Sequence, residues 1–357
     1  MVSPTVSVIV LNYNGRRFLE ACLRSLERTR YDNFRVIVVD NGSTDGSVEM
    51  LTGELPHFVT PVFNPTNLGF SRAMNQILVR DDLCGEYVVL LNNDTEVDEY
   101  WLDALVRVAE ADTNVGAVQP KLLSLRERGR FEYAGAAGGF LDRLGHSLCR
   151  GRIFYSIEED TGQYDDVCEI FWASGAAVLL RRDLATEVGL LDEDFWMHYE
   201  EIDLCWRLRL HGYKVMYVPS SVVYHYGGGG ANPRVRYLNH RNSLLTLMKN
   251  YSRPNLLSYF PRRVVMDVVN VGYALAKRDV VWARSIVLAY MWILLHLPRL
   301  WRKRRLVQQQ RRVSDEEIAG LMVHDSAVWQ YFLRRRRVFS ELSGLPAVPA
   351  PLQEACR

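Results

Sequence analysis

The segment Tyr87-Val88-Val89-Leu90-Leu91-Asn92-Asn93-Asp94 is an apolar run that stops at two amides and a carboxylate. A continuous apolar run reads as a strand buried on both faces, and in open α/β sheets ligands collect outside the carboxyl ends of such strands. Asn92 and Asp94 lie two apart, so in extended chain they project to the same side. Oxygen donors so placed suit a hard divalent cation, which keeps few protein ligands and takes the rest from phosphate and water. Alone, this turn reads more readily as the polar end of a strand. Two further strands end in the same way: residues 6–11 run into Asn12-Tyr13-Asn14, and residues 35–39 run into Asp40. Three such ends along one sheet edge favour a nucleotide site. There Asp40 would accept from the ring N–H of a uracil or thymine, and Tyr13 would offer an aromatic face to the base.

Helices must separate and cover these strands. Residues 17–28 carry Phe18, Cys22, Leu23 and Leu26 at helical spacing, 47–55 and 71–79 follow as helices, and 60–63 is a further strand ahead of Asn67-Leu68-Gly69-Phe70. The alternation predicts an α/β fold with a mostly parallel sheet flanked by helices. No Gly-x-Gly-x-x-Gly follows the first strand and no Walker loop occurs, so dinucleotide oxidoreductases and P-loop enzymes lose their main support. At 357 residues, with 43 basic against 42 acidic side chains, the chain has room for a large domain and an extension, and no global footprint for nucleic acid. Six cysteines without paired spacing favour a reduced compartment, and residues 6–11 are too short for a signal-peptide core, so a cytoplasmic site is expected.

Taken together, Ser7-Val8-Ile9-Val10-Leu11-Asn12-Tyr13-Asn14, Val38-Val39-Asp40-Asn41-Gly42-Ser43-Thr44-Asp45, Asn67-Leu68-Gly69-Phe70 and Leu91-Asn92-Asn93-Asp94 resemble the family 2 glycosyltransferases, in particular their bacterial rhamnosyltransferase-like branch. The likeness continues through Trp172-Ala173-Ser174-Gly175-Ala176-Ala177, Leu191-Asp192-Glu193-Asp194-Phe195 and Glu200-Glu201-Ile202-Asp203-Leu204-Cys205-Trp206-Arg207 to Val223-Tyr224-His225. It covers roughly residues 5–250 and implies a GT-A fold over 1–250, and the remaining 251–357 is expected to be a helical, membrane-associating extension. It also implies inverting transfer of one sugar from a UDP- or dTDP-sugar, dTDP-rhamnose among them, to a hydroxyl of a glycan or polyprenyl-diphosphate-linked acceptor.

Carried over by position, Asp40 matches the pyrimidine-binding aspartate, and Asn92-Asn93-Asp94 matches an Asp-x-Asp motif with asparagine in its first place. Asp94 is then the main ligand of a manganese or magnesium ion. His225 completes the metal site, and Asn92 turns to the sugar, the ribose or a metal-bound water. Glu201 stands where the family has the aspartate that deprotonates the acceptor, with Glu200 and Asp203 as possible substitutes. By composition alone these acids would only favour a helix dipole. Asn12, Tyr13, Asn14, Asn67, Gly69, Arg72, Asn93, Gly175 and Arg241 make up the expected donor cleft, and Gly135–Gly139 and Gly227–Gly230 are expected as mobile loops that close over it. The family's processive Gln-x-x-Arg-Trp motif is absent, which implies one sugar per encounter.

Beyond Ser252 the character changes. Residues 285–298 are apolar but shorter than the ~20 residues of a spanning helix, and a cluster of seven bases from Arg299 to Arg312 follows without an acid. An interface-lying helix on an anionic leaflet of the plasma membrane's inner face fits this pattern, with nucleic-acid contact and a helix packed on the catalytic domain as rivals. Ser314 and Glu317 read as a capping box at the head of a helical tail that could also dimerise, and 345–352 is a loose proline-rich end. A different class of function also stays open: if Asn92 and Glu201 mark lost chemistry, the chain would be a nucleotide-sugar-binding scaffold. A nucleotidyltransferase would need a basic phosphate loop after the first strand, which is missing.

Overall fold

The computed structural model describes residues 3–228 and 232–346; Gly229, Gly230, Cys356 and 347–352 of the proline-rich end lie outside the described residues. The chain alternates β1 (Val6–Asn12), α1 (Arg16–Glu27), β2 (Phe34–Asp40), α2 (Ser47–Thr52), β3 (Val59–Phe63), α3 (Phe70–Leu78), β4 (Tyr87–Asn92), β5 (Thr95–Val97), α4 (Trp101–Ala111) and β6 (Val115–Ser124). A short meander follows, β7 (Gly139–Leu141), β8 (Ser147–Cys149), β9 (Arg152–Ile153) and β10 (Ser156–Ile157), then β11 (Cys168–Glu169), β12 (Ala177–Arg181), α5 (Arg182–Glu187), α6 (Glu200–Leu210) and β13 (Lys214–His225). The last helices are α7 (Pro233–Asn250), α8 (Arg253–Ala276), α9 (Val280–Leu295), α10 (Leu297–Gln310), α11 (Asp315–Ala319) and α12 (Ala327–Phe332).

The main sheet runs β11-β13-β6-β12-β4-β1-β2-β3, with β5 paired to β13. Strands β4, β1, β2 and β3 are mutually parallel, and β12 is antiparallel to both of its neighbours. Successive residues of a strand face opposite sides. Accordingly Ile9, Ile37, Val39, Val88 and Leu90 enter one core layer, while Val8, Val10, Val36, Val38, Val89 and Leu91 enter the other. This is why those strands read as unbroken apolar runs. The expected α/β architecture, a mostly parallel sheet flanked by helices with a helical C-terminal region, is the one observed.

One expectation changes. Gly135, Gly138 and Gly139 are not a mobile loop: a Cβ at these positions would meet Ser174, Ile170 and Trp172 at 2.6 Å or closer, so the chain here is packed tight. The tail after the Ser314–Glu317 capping box is helical as expected, as two short helices, α11 and α12. The extension also wraps back on the main body. Val323 N donates to Leu141 O at 2.9 Å, and the Phe339 ring packs 5.3 Å from that of Phe140.

Candidate active site

Strand register builds one edge of the sheet. Asn12 lies opposite Asp40, and Leu11 opposite Asn92, so the polar ends of β1, β2 and β4 arrive together. Asn12 Nδ2 donates to Asp40 Oδ2 at 2.8 Å, Asn93 Nδ2 donates to Asn12 Oδ1 at 2.6 Å, and Ser43 N donates to Asp40 Oδ1 at 2.9 Å. Asp40 is thus buried beneath Asn12 and the Ser43 turn, with one hydrogen bond on each oxygen. Asn14, at φ 51°, accepts from Thr44 N at 2.8 Å and holds the same turn, while Tyr13 stands half exposed beside it. Gly15 is required by this arrangement, since a Cβ would fall 1.9 Å from Asn93 Nδ2. A groove of about 370 Å³ opens here between Asn14, Arg16, Arg17, Glu20 and Asp45.

Strand β5 carries the Asn92–Asp94 turn against β13, pairing Thr95 with His225. His225 Nε2 comes within 3.1 Å of Asp94 Oδ1 and 3.3 Å of Asn92 Nδ2, and its Nδ1 lies 3.1 Å from Glu132 Oε2. Burial works to lower the His225 pKa, yet the two flanking carboxylates overcome it and raise it to about 10. Burial likewise opposes ionisation of Asp94, and the imidazole beside it more than compensates, holding the carboxyl below its usual range. One carboxylate and one imidazole, with an amide alongside, form a donor set suited to a small divalent cation that completes its shell from a diphosphate. Glu132 stands behind the imidazole as metal-bound histidines require. Among the described residues no three His, Cys, Asp or Glu side chains gather into a complete cage, so a cation here would depend on its ligand.

Across β12 lies the second centre. Asn92 N donates to Ala176 O at 3.0 Å, which sets Gly175 at the end of β4. The space a Cβ would take at Gly175 is 3.8 Å from Cβ and Cδ of Glu201 and 3.7 Å from the Phe70 ring. Glu201 therefore lies directly behind a residue without a side chain, with its Oε2 buried and unpartnered. Burial pushes its carboxyl up to about 7, against the backbone N–H groups of the first turn of α6 and of Gly175, which pull it down. Glu200 is buried, with Oε2 unpartnered, and burial followed by the charge of Glu201 raises it well above the usual carboxylate range.

Asp203 and Arg241 fall elsewhere. Asp203 is fully buried and accepts from Arg207 Nε at 2.9 Å, Lys249 Nζ at 2.7 Å and Asn250 Nδ2 at 2.9 Å, which leaves it a structural anion and not a free base. Arg241 Nη2 donates to Asp194 O at 2.7 Å and Phe195 O at 3.0 Å, so its guanidinium secures a loop and not a phosphate. Asn67 accepts from Gly69 N at 2.9 Å and from Asn41 Nδ2 at 3.0 Å, holding the turn into α3. Gly69 has φ +80° and lies against the Trp196 indole, and Arg72 is exposed on α3. Of the residues not anticipated from sequence, Gly15 and Asn41 directly follow Asn14 and Asp40, whereas Glu132 and Trp196 come from other segments and meet the site only through the fold.

Residues 7–189 match the family model described as Glycosyl transferase family 2. The N-acetylglucosaminyl-diphospho-decaprenol L-rhamnosyltransferase of Mycobacterium tuberculosis is 26% identical over 238 residues, covering 63% of this chain and 77% of that protein. The uncharacterized protein y4gI of Sinorhizobium fredii is 30% identical over 236 residues, 63% of this chain and 24% of y4gI. The O-antigen biosynthesis protein RfbC of Myxococcus xanthus is 30% identical over 233 residues, again 63% of this chain but 17% of RfbC. The chain thus spans about a quarter or less of the length of these two longer relatives. The mannosyltransferase PcManGT of Pyrobaculum calidifontis, solved with GDP-Man and Mn2+, shares the fold with a TM-score of 0.51 at 19% identity, over 87% of this chain and 86% of that one.

Proposed function

This chain belongs to glycosyl transferase family 2, and from that premise we propose that it moves one sugar, with inversion, from a nucleoside-diphosphate donor to a hydroxyl of a glycan or polyprenyl-diphosphate-linked acceptor. The observation that carries the proposal is the placement of Glu201. It is a carboxylate raised to about 7, buried directly behind Gly175, whose neighbour Ala176 accepts from Asn92 N at the strand end that leads to Asp94 and His225. In-line displacement needs a base on one face of the sugar and a site for the departing diphosphate on the other. Glu201 takes the proton of the acceptor hydroxyl as its oxygen bonds to the anomeric carbon, and the anomeric C–O bond breaks with its electron pair going to the diphosphate. General-base assistance of this kind is worth about 10²–10⁴-fold. A manganese or magnesium ion, held by Asp94 and His225, would supply Lewis-acid compensation for the charge on the leaving group.

The Asp40, Asn12 and Ser43 cluster, with Tyr13 beside it, supports a pyrimidine nucleotide, and the mycobacterial relative's name supports a rhamnosyl group, which together make dTDP-rhamnose the first donor to try. A thermal-shift screen of UDP-, dTDP- and GDP-sugars with Mn2+ or Mg2+ tests the donor, because a bound ligand raises Tm by mass action. Radiolabel transfer to a polyprenyl-diphosphate-linked sugar then compares the wild type with Glu201→Gln. The expected result is turnover by the wild type and its loss in the variant with donor binding retained. A wild type that binds donor yet turns over with no acceptor, and does not hydrolyse the donor, would instead mark a nucleotide-sugar-binding scaffold.

A further inference from the structure

Helix α8 is built inside out. Its buried stripe, Leu256, Arg263, Asp267 and Ala274, includes an ion pair with Arg263 Nε 3.1 Å from Asp267 Oδ2. That pair is tied into the protein, since Arg263 Nη1 donates to Leu144 O at 2.7 Å and Tyr290 Oη donates to Asp267 Oδ2 at 2.7 Å. The opposite side carries Leu257, Val265, Val268 and Val269, each about two-thirds exposed. Helix α9, packed against α8, continues the pattern at its end, where Leu294 and Leu295 are 70% and 76% exposed. A surface helix facing water turns its apolar stripe inward and its charges outward. Here the polar pair is inward and the aliphatic side chains are outward, an arrangement that suits an apolar phase outside the molecule.

Charge selects among occupants. Between Arg253 and Val313 the only acids are Asp267, which is buried, and Asp279, whose Oδ2 lies 2.8 Å from Arg236 Nη1. The cations Arg262, Lys277, Arg278, Arg284, Arg302 and Arg305 are exposed. A two-fold contact between copies would bring two cationic surfaces together, and like charge across an interface disfavours pairing. Anionic lipid offers an apolar interior and the opposite charge at its surface. We infer that the outer face of α8 and α9 docks on an anionic lipid surface.

The surface differs from the one suggested by the basic run alone. Arg299 and Lys303 pair with Asp194, and Arg304 Nη1 donates to Met248 O at 2.7 Å and Tyr251 O at 2.6 Å, so much of that run is spent inside the protein. Burial of the aliphatic side chains of α8 and α9 supplies the attachment, and the exposed arginines and lysines select the lipid. No single described helix is long and apolar enough to cross a membrane, and α9 and α10 meet at a bend of 76°.

Flotation of the full chain with vesicles tests the inference independently of donor or acceptor. Vesicles of phosphatidylglycerol and phosphatidylcholine in equal parts should carry the protein, with roughly tenfold weaker binding to phosphatidylcholine alone. Replacing Val265, Val268, Val269 and Leu294 by serine should weaken binding by roughly a hundredfold, with circular dichroism and Tm unchanged because these side chains make few protein contacts. A wild type that stays free of anionic vesicles at low salt overturns the inference, as does a serine variant that binds as well as the wild type. A dimer abolished by the serine substitutions, without vesicle binding, would assign the face to a second copy of the chain.

Discussion

Glu201 must be ionised to take a proton, and burial holds its carboxyl up to about 7. The rate of sugar transfer should therefore climb with pH through about 7 and level off above it, a profile that Glu201→Gln abolishes while lowering kcat by about 10²–10⁴-fold. Glu200, like Glu201, has a buried and unpartnered Oε2, and its ionisation is read in stability. Its pKa is raised in the folded chain, so the folded state binds more protons than the unfolded one above the ordinary glutamate range. Stability then falls as pH rises through that window, and the contribution is fully present only below the unfolded value. Glu200→Gln should raise stability by about 1–2 kcal/mol at pH 8 and leave it nearly unchanged at pH 4, as read from urea melts. A gain of equal size at both pH values would show that ionisation is not the cause.

Helix α6 is aimed by the loop that precedes it. Trp196, His198 and Tyr199 all have positive φ, at 65°, 66° and 70°, which is strained backbone for side chains of this size. Asn242 on α7 restrains that loop by donating from Nδ2 to Phe195 O at 3.0 Å, Met197 O at 2.9 Å and His198 O at 2.6 Å. From the other side Phe70 N donates to Trp196 O at 2.6 Å, joining the loop to α3. Asn242→Leu should cost about 2–3 kcal/mol of stability and lower kcat more than it raises the donor KM, since the base is displaced and the strand ends are not. Equal effects on kcat and KM would refute a role in placing α6. The strand ends at Asn12, Asp40 and Asn92 were legible in the sequence because abrupt polarity changes are local signals. Trp-Met-His-Tyr carries no turn signature, and Asn242 looks like any polar helical residue, so the clamp was not. The short strands β7 to β10 escaped for the same reason: two or three residues are too few to show alternation. Glu132 was missed because only the fold brings it to His225.

The extension and the main body share one core. The Trp206 ring of α6 packs 4.9 Å from Tyr251 and 5.3 Å from Phe171, so the helix bearing the base is held between the sheet side and the start of α8. Charge reinforces the junction, with Lys249 Nζ 2.8 Å from Asp192 Oδ2 and 2.7 Å from Asp203 Oδ2, while Lys303 of α10 reaches Asp192 and Asp194. Burial opposes ionisation of Asp192, but the two lysines overcome it and hold the carboxyl well below its usual range. Its stabilisation is therefore present above the unfolded aspartate value of about 4 and is lost as pH falls toward the lowered one. Removing Lys249 leaves two buried carboxylates short of a partner, and Lys249→Met should cost about 3–5 kcal/mol. Lys303 is partly exposed, and Lys303→Met should cost no more than about 1 kcal/mol. Because the two parts share side chains and ion pairs, urea should unfold the wild type in a single transition, with tryptophan fluorescence and far-UV circular dichroism coinciding. Lys249→Met should shift that transition to lower urea without splitting it, and should flatten its decline between about pH 5 and pH 3. An early transition confined to the extension would show that α8 to α12 fold apart from the helix that carries Glu201.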